Sequence, residues 1–217
     1  MPGRGVIDEQ IAYYRARAAE YDQTTSTGEG GPHEDAMARV RAALEAFDPH
    51  GRVLEIAAGT GQWTSQLAAH ASEVTAMDAS PEMLMINAAR TADSRVRYEV
   101  ADAFDLDPAP VHDVVFFGFF LSHVPLESFD MFWGSVAGQL AAGGRVFVVD
   151  ERRHGEWQED WLDEDHGIVR RTLQDGTTHR AVKVLWDPSE LHARLRGLGW
   201  TAVIGEAGPF FWCVATR

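Results

Sequence analysis

Val53 to Thr64 reads VLEIAAGTGQWT, an apolar run broken by a turn that holds Gly59 and Gly61 and then opens into a helix-forming stretch from Gln62. A strand that ends in a Gly-rich turn and passes directly into a helix lets a ligand approach the backbone, with helix N–H groups pointing at it. The small-residue triplet is Ala57, Gly59 and Gly61, and Thr64 stands where a nicotinamide-dinucleotide fingerprint wants glycine. Alone, the turn is a weak signal, and the spacing of the downstream strands and carboxylates decides more.

Beyond the turn, apolar runs alternate with helix patterns: RVLEI, a helix from Gln62, EVTAM, a helix from Pro81 to Arg90, RVRYEV, DVVFFGFF, a helix from Leu126 to Leu140, and RVFVVD. Strand and helix in that order imply a parallel sheet covered on both faces. Two helix patterns, at about 8–22 and from His33 to Phe47, precede this core and are joined by TTSTGEGGP. After Asp150 come the acidic GEWQEDWLDEDHG, a stretch RRTLQDGTTHRAVK, a short helix from Pro188 to Arg196, and two closing strands, WTAVIGE and PFFWCVAT. The expectation is an α/β, Rossmann-like, seven-stranded and mostly parallel sheet in one domain over 1–217. Its parts are a helical lid (1–48), a cofactor-binding core (49–150), an acidic loop with a β-hairpin cap (151–187), and a closing helix and strands (188–217).

Within that frame Asp78 ends the second strand, where a carboxylate can accept two hydrogen bonds from a ribose diol. Asp102 and Phe104 follow the third strand, where a carboxylate can take an exocyclic amine and an aromatic ring can lie against a purine. Taken singly, each residue has a plain structural reading: Gly59 and Gly61 as a tight turn, Asp78 as a helix cap, Phe104 as core. In register and in order, they fit one nucleoside lying across the C-terminal edge of the sheet.

These residues make the chain resemble the class I S-adenosylmethionine-dependent methyltransferases over nearly its whole length, with Ala57 in place of the usual first glycine. The resemblance implies S-adenosylmethionine as cofactor. Glu55, Ala57, Gly59 and Gly61 would lie on its methionine side, Asp78 would hold the ribose and Asp102 and Phe104 the adenine, with Trp63, Ala79, Met83 and Ala103 as further cofactor contacts and Phe119 beside the transferring methyl. Tyr14 and Arg17 on the leading helix would close over the cofactor and Tyr21 would lie near the methyl, with TTSTGEGGP as the hinge. His123, in FFGFFLSHVP, is the candidate general base, since imidazole titrates near neutral pH. Its plain alternative is a capping or packing role, and an anionic acceptor would need no base.

Composition sets outer limits. The chain has 217 residues, 45% hydrophobic and 24% charged, with a formal net charge of -14 and one cysteine, Cys213. Such acidity argues against a nucleic-acid backbone as partner, and the fourth strand lacks the Asn/Asp-Pro-Pro-aromatic arrangement used on flipped bases. No apolar run approaches the roughly 18 residues of a membrane span, and MPGRGVIDEQ lacks a signal peptide's apolar stretch. A cytoplasmic enzyme, monomer or homodimer, acting on a small molecule is expected.

Against that acidity, RRTLQDGTTHRAVK gathers three arginines and the only lysine. Reading Asp175-Gly176 as a two-residue hairpin turn sets Arg171 opposite Arg180. Like charges so placed are destabilising unless something negative lies between them. The anion is either the acidic segment (Glu159, Asp160, Asp163, Glu164 or Asp165) or a substrate, because guanidinium matches carboxylate and phosphonate oxygens bidentately. A metal site near His166 is a remote third reading.

The YYRARA helix, VLEIAAGTG, FFGFFLSHVP and RRTLQDG followed by Arg180 and VKV are also similar to phosphonate O-methyltransferases of the dehydrophos pathway. That similarity implies that Arg170, Arg171, Arg180 and Lys183 bind the phosphonate of the substrate and that His123 matches the histidine before Val-Pro. Phe120, walling the methyl at the end of the fourth strand, joins the substrate-binding candidates, and Tyr21 joins His123 as a catalytic one. Two departures, no aromatic in TTSTGEGGP and Phe119 in place of a histidine, imply a more apolar wall. The expected reaction is O-methylation of an anionic phosphonate or carboxylate intermediate of natural-product biosynthesis. The alternative is N- or phenol O-methylation with His123 as base.

Overall fold

The computed structural model describes residues 4–24, 33–108, 111–153 and 158–217. The elements run α1 (Arg4–Arg17), a 3-10 turn (Ala18–Glu20), α2 (Tyr21–Thr24), α3 (Glu34–Phe47), β1 (Arg52–Ile56), α4 (Thr64–His70), β2 (Glu73–Asp78), α5 (Pro81–Thr91), β3 (Val96–Val100) and β4 (His112–Gly118). Next come α6 (Phe129–Gln139), β5 (Leu140–Glu151), β6 (Trp161–Asp163), β7 (Ile168–Thr172), β8 (Thr178–Val182), α7 (Pro188–Gly197), β9 (Thr201–Ala207) and β10 (Phe210–Thr216). Seven strands form one sheet in the order β3-β2-β1-β4-β5-β10-β9. The first five are parallel, and β10 is antiparallel to both β5 and β9.

The sheet is covered on both faces, which is why β1 and β4 read as nearly unbroken apolar runs. One face sets Leu54, Ile56, Val115, Phe117 and Val148 against Phe129, Phe132 and Trp133 of α6 and Leu191 and Leu195 of α7. The other sets Val53, Val74, Val114, Phe116 and Phe147 against Val40 and Leu44 of α3 and Leu67 of α4. Local chemistry starts the helices. Ser80 accepts a hydrogen bond from the Met83 N–H ahead of α5, and Asp187 accepts from the Ser189 and Glu190 N–H groups ahead of α7, each with proline in the first turn.

The leading helix is already formed at Arg4, the first described residue and earlier than its apolar pattern indicates, where Arg4 pairs with Asp8 one turn on and with Asp102 and Asp105 of the core. It is interrupted at Ala18, and the 3-10 turn re-aims the chain so that Tyr21 reaches the same cavity as Tyr14. The hinge expected at TTSTGEGGP falls, from Thr25 to Pro32, outside the described residues.

The hairpin register differs from the expected one by one residue. Gly176 has φ +87° and donates to the Leu173 carbonyl at 3.0 Å, while Leu173 donates to Thr177 at 2.9 Å. This is a three-residue loop with glycine in the left-handed position, which Asp-Gly serves as well as it serves the two-residue turn. Arg170 therefore faces Arg180, and Arg171 faces His179; the expected Arg171–Arg180 pair does not form. The acidic segment, expected as a loop, supplies β6, which pairs with β7 and completes a small three-stranded sheet. Among the described residues no helix is long and apolar enough to cross a membrane.

Candidate active site

The C-terminal ends of β1, β2 and β4, roofed by α1 and Tyr21, enclose a cleft of about 750 Å3 including its mouth. The β1 turn forms its floor. Ala57 and Gly59 both take left-handed backbone, with φ +54° and +53°, and the Ala58 N–H donates to Met77 at 2.9 Å, tying the turn to β2. A side chain at Gly59 would meet no atom within 4 Å, so glycine leaves the backbone open to the cleft. Asp78 is held by the Gly59 N–H at 2.9 Å and the Ser80 N–H at 2.8 Å. Burial raises its pKa while these backbone donors oppose the rise. Beyond β3, Asp102 accepts from the Phe104 N–H at 3.0 Å and meets Arg4 at 2.9 Å.

Glu55 lies beneath the floor, fully buried, accepting from the Thr64 hydroxyl at 2.7 Å. Burial pushes its carboxyl up to about 8. Near pH 7 it is therefore mostly a neutral acid, positioned behind the turn rather than in the cleft.

At the other wall the His123 Nδ1 lies 2.7 Å from the Val182 carbonyl, and its Nε2 lies 2.8 Å from the Tyr14 hydroxyl. A carbonyl can only accept, so the proton sits on Nδ1 and Nε2 accepts from Tyr14. Burial drives the His123 pKa well below the usual imidazole range, and the positive charges of Lys183, Arg171 and Arg17 push the same way. Tyr14 is held far above the ordinary phenol range by burial, and Tyr21 is pushed up to about 12. Gln10 fastens the helix here, donating to the His123 carbonyl at 3.3 Å and accepting from the Val182 N–H at 2.9 Å.

The four hairpin cations part company. Arg171 and Lys183 share the face that carries the buried Val169 and Ala181, Arg171 pairing with Glu159 and Lys183 with Glu151. Asp150, next to this pair, is buried and pushed up to about 6 by burial, with Lys183 opposing. Arg170 and Arg180 lie on the other face, exposed, with Asp160 at 3.5 Å and Glu9 of α1 at 2.6 Å. His166 sits 2.9 Å from Asp163, and among the described residues no group of three or more His, Cys, Asp or Glu is arranged to hold a metal ion.

Of the residues singled out from the sequence, Tyr14, Tyr21, Ala57, Gly59, Asp78, Ala79, Met83, Asp102, Ala103, Phe104, Phe119, Phe120 and His123 line the cleft. Glu55, Gly61, Trp63, Arg17 and the hairpin cations do not. Arg17 lies over the Tyr21 ring, 4.9 Å from its centroid. Phe120 packs with Phe104 at 6.0 Å, at the Asp102 end, whereas Phe119 turns to Trp63 and Phe210. Ile7, Gln10 and Ser80 also line the cleft and went unnoticed. Gln10 lies one helical turn before Tyr14, and Ser80 precedes a proline at a helix start, so both carried a spacing signal.

Comparison with known proteins adds relatives. A family model described as a methyltransferase domain matches residues 53–144. An uncharacterized methyltransferase of Staphylococcus carnosus (strain TM300) is 31% identical over 144 residues, 65% of this chain and 68% of that protein. The DhpI-SAH complex superposes with a TM-score of 0.85 and 40% identity, covering 98% of this chain and 97% of that one. The DhpI-SAM-HEP complex gives 0.86 and 39% over 100% of both.

Proposed function

Because the chain belongs to the class I S-adenosylmethionine-dependent methyltransferases and uses S-adenosylmethionine as its cofactor, we propose that it O-methylates a small anionic metabolite, a phosphonate or carboxylate of natural-product biosynthesis. The observation that carries this reading is that the β7–β8 hairpin, which holds Arg171 and Lys183 as its two least exposed cations, is tied to His123 at the cleft wall through the Val182 carbonyl at 2.7 Å. Cations carried next to the cleft in an otherwise acidic chain favour an acceptor that brings its own negative charge. The likeness to DhpI, seen in a complex with SAM and HEP, supports a small-molecule acceptor.

The cofactor fits the cleft by the chemistry of its lining. Asp78, fixed by Gly59 and Ser80, would hold the ribose, Asp102 and Phe104 the adenine, and the open backbone at Gly59 the methionine side. Bound there, S-adenosylmethionine would supply a sulfonium methyl group for transfer to an acceptor oxygen, leaving S-adenosylhomocysteine. The protein's share is positioning and charge. Tyr14 and Tyr21 exclude water from above, and Arg171 and Lys183 orient the acid group. His123, neutral and with its lone pair on Tyr14, sets the position of the α1 roof instead of taking a proton.

A screen of small phosphonates, carboxylates, amines and phenols, read by S-adenosylhomocysteine release, tests this. Turnover of acids, with KM raised by Arg171→Ala, is expected. Turnover confined to amines or phenols, with kcat collapsing in His123→Ala, would replace this reading with the His123-base alternative.

A further inference from the structure

Arg171, one of the two least exposed cations of the hairpin, already holds a carboxylate. The Arg171 guanidinium forks onto Glu159, with NH2 to Oε1 at 3.0 Å and NH1 to Oε2, and the Glu159 side chain is only 6% exposed. By contrast, the Arg170 and Arg180 pairs are open to solvent on both sides. A bidentate, nearly buried arginine–carboxylate contact is the arrangement a protein uses to recognise a carboxylate or phosphonate.

Several observations link this contact to the cleft. The charge of Arg171 acts on both Tyr14 and His123, which line the cleft. Directly across the ladder from Arg171 stands His179, whose Nε2 is buried with no hydrogen-bond partner among the described residues and whose ring lies against Tyr13. A buried polar atom without a partner is costly and points to a group that completes it. Arg171 belongs to β7, and Glu159 lies in 158–160, a stretch that is neither helix nor strand and joins β7 through the Arg170 N–H donated to the Asp160 carbonyl at 2.8 Å.

We propose that Glu159 is an internal stand-in for the acceptor's acid group, so that its carboxylate and the acid group of an incoming substrate compete for the same Arg171 fork. This rests on the anionic-acceptor reading above. Its consequence is a built-in selectivity filter. A neutral acceptor cannot release Arg171 from Glu159, and a singly charged, poorly shaped anion gains nothing by exchange. An acid group that satisfies Arg171, and additionally His179 or Lys183, replaces Glu159 with a net gain in hydrogen bonds.

The experiment is calorimetric titration of methylphosphonate into the S-adenosylhomocysteine-loaded protein, its Glu159→Gln variant and the Glu159→Gln/Arg171→Gln double variant. Removing the competitor while keeping the side-chain shape tightens methylphosphonate binding by about ten-fold in Glu159→Gln, the order expected for a charge-assisted hydrogen-bond pair. The gain disappears in the double variant, and S-adenosylhomocysteine affinity stays at the wild-type value in both. Should the amide variant misfold, Glu159→Asp, which keeps the charge but shortens the reach, shifts affinity in the same direction. Unchanged or weaker binding in Glu159→Gln, a gain that survives in the double variant, or no binding to any of the three proteins overturns the proposal. Acceptor turnover separates the two levels. If acids are methylated and Glu159→Gln leaves anion affinity unchanged, only the stand-in fails; if only amines or phenols are methylated, the anionic-acceptor reading falls as well.

Discussion

Ala57 occupies the first position of the AxGxG turn with φ +54°, a conformation that glycine enters freely and alanine does not. Left-handed backbone costs an L-residue roughly 1–2 kcal/mol, because Cβ crowds the following carbonyl. Replacing Ala57 by glycine removes that strain but returns about 0.5–1 kcal/mol to the unfolded chain as conformational entropy. The difference leaves the Ala57→Gly variant more stable by about 0.5–1 kcal/mol, a rise in Tm of roughly 1–4 °C for a chain of this size. Ala57 is only partly buried and packs at the margin of the core, so the lost methyl contacts are few. Differential scanning calorimetry of both proteins without added cofactor measures the shift. A Tm that stays or falls would refute the reasoning, because it would mean that the Ala57 side chain does more in the fold than its backbone strain costs.

Three other outcomes can be measured. Asp78→Ala removes the carboxylate proposed to hold the ribose and also the acceptor for Gly59 and Ser80, so S-adenosylhomocysteine Kd rises about 10- to 100-fold; unchanged affinity by calorimetry would remove the ribose assignment. Glu55 titrates near 8 in the fold against an ordinary 4.5 for a free glutamate, so the unfolded chain gives up this proton first and wild-type stability falls as pH rises through that window. Glu55→Gln cannot ionise, and its Tm relative to wild type therefore climbs between about pH 5 and pH 8; a flat difference counts against a buried neutral acid. Arg180 is half-exposed on Glu9, so Arg180→Ala leaves acceptor KM near wild type while Arg171→Ala raises it, and equal effects would restore the symmetric pair that the sequence indicated.

The parallel core was legible because both faces of its strands are buried, which turns β1 and β4 into apolar runs and leaves Asp78 and Asp102 as the conspicuous polar residues at their neighbours' ends. The meeting of Asp78, Asp102 and Phe104 in one cleft followed from chain order alone. The hairpin did not, because Asp-Gly serves two loop lengths that differ by one residue, and with a period of two that one residue exchanges the faces. Arg171 thereby moves from beside Arg180 to beside His179. Equally hidden was the division of Phe119 from Phe120. Adjacent and identical, they part because Phe119 takes φ +56°, a conformation no propensity assigns to phenylalanine. The Tyr14–His123 contact joins residues 109 apart, and neither spacing nor composition reports it.

That long reach has a bearing on how the molecule is made. The α1 roof leaves the ribosome before any strand of the sheet, yet the backbone it grips at Val182 lies 172 residues later than Gln10. It buries only Ile7, Gln10 and Tyr13, so it can wait in water without exposing a large apolar face. During that wait the turn at Gly59 and the Asp78 carboxylate can be assembled while the roof is still undocked. The roof can therefore reach its Val182 anchor only after β8 has been synthesised, whereas Gly59 and Asp78, far earlier in the chain, do not depend on that strand.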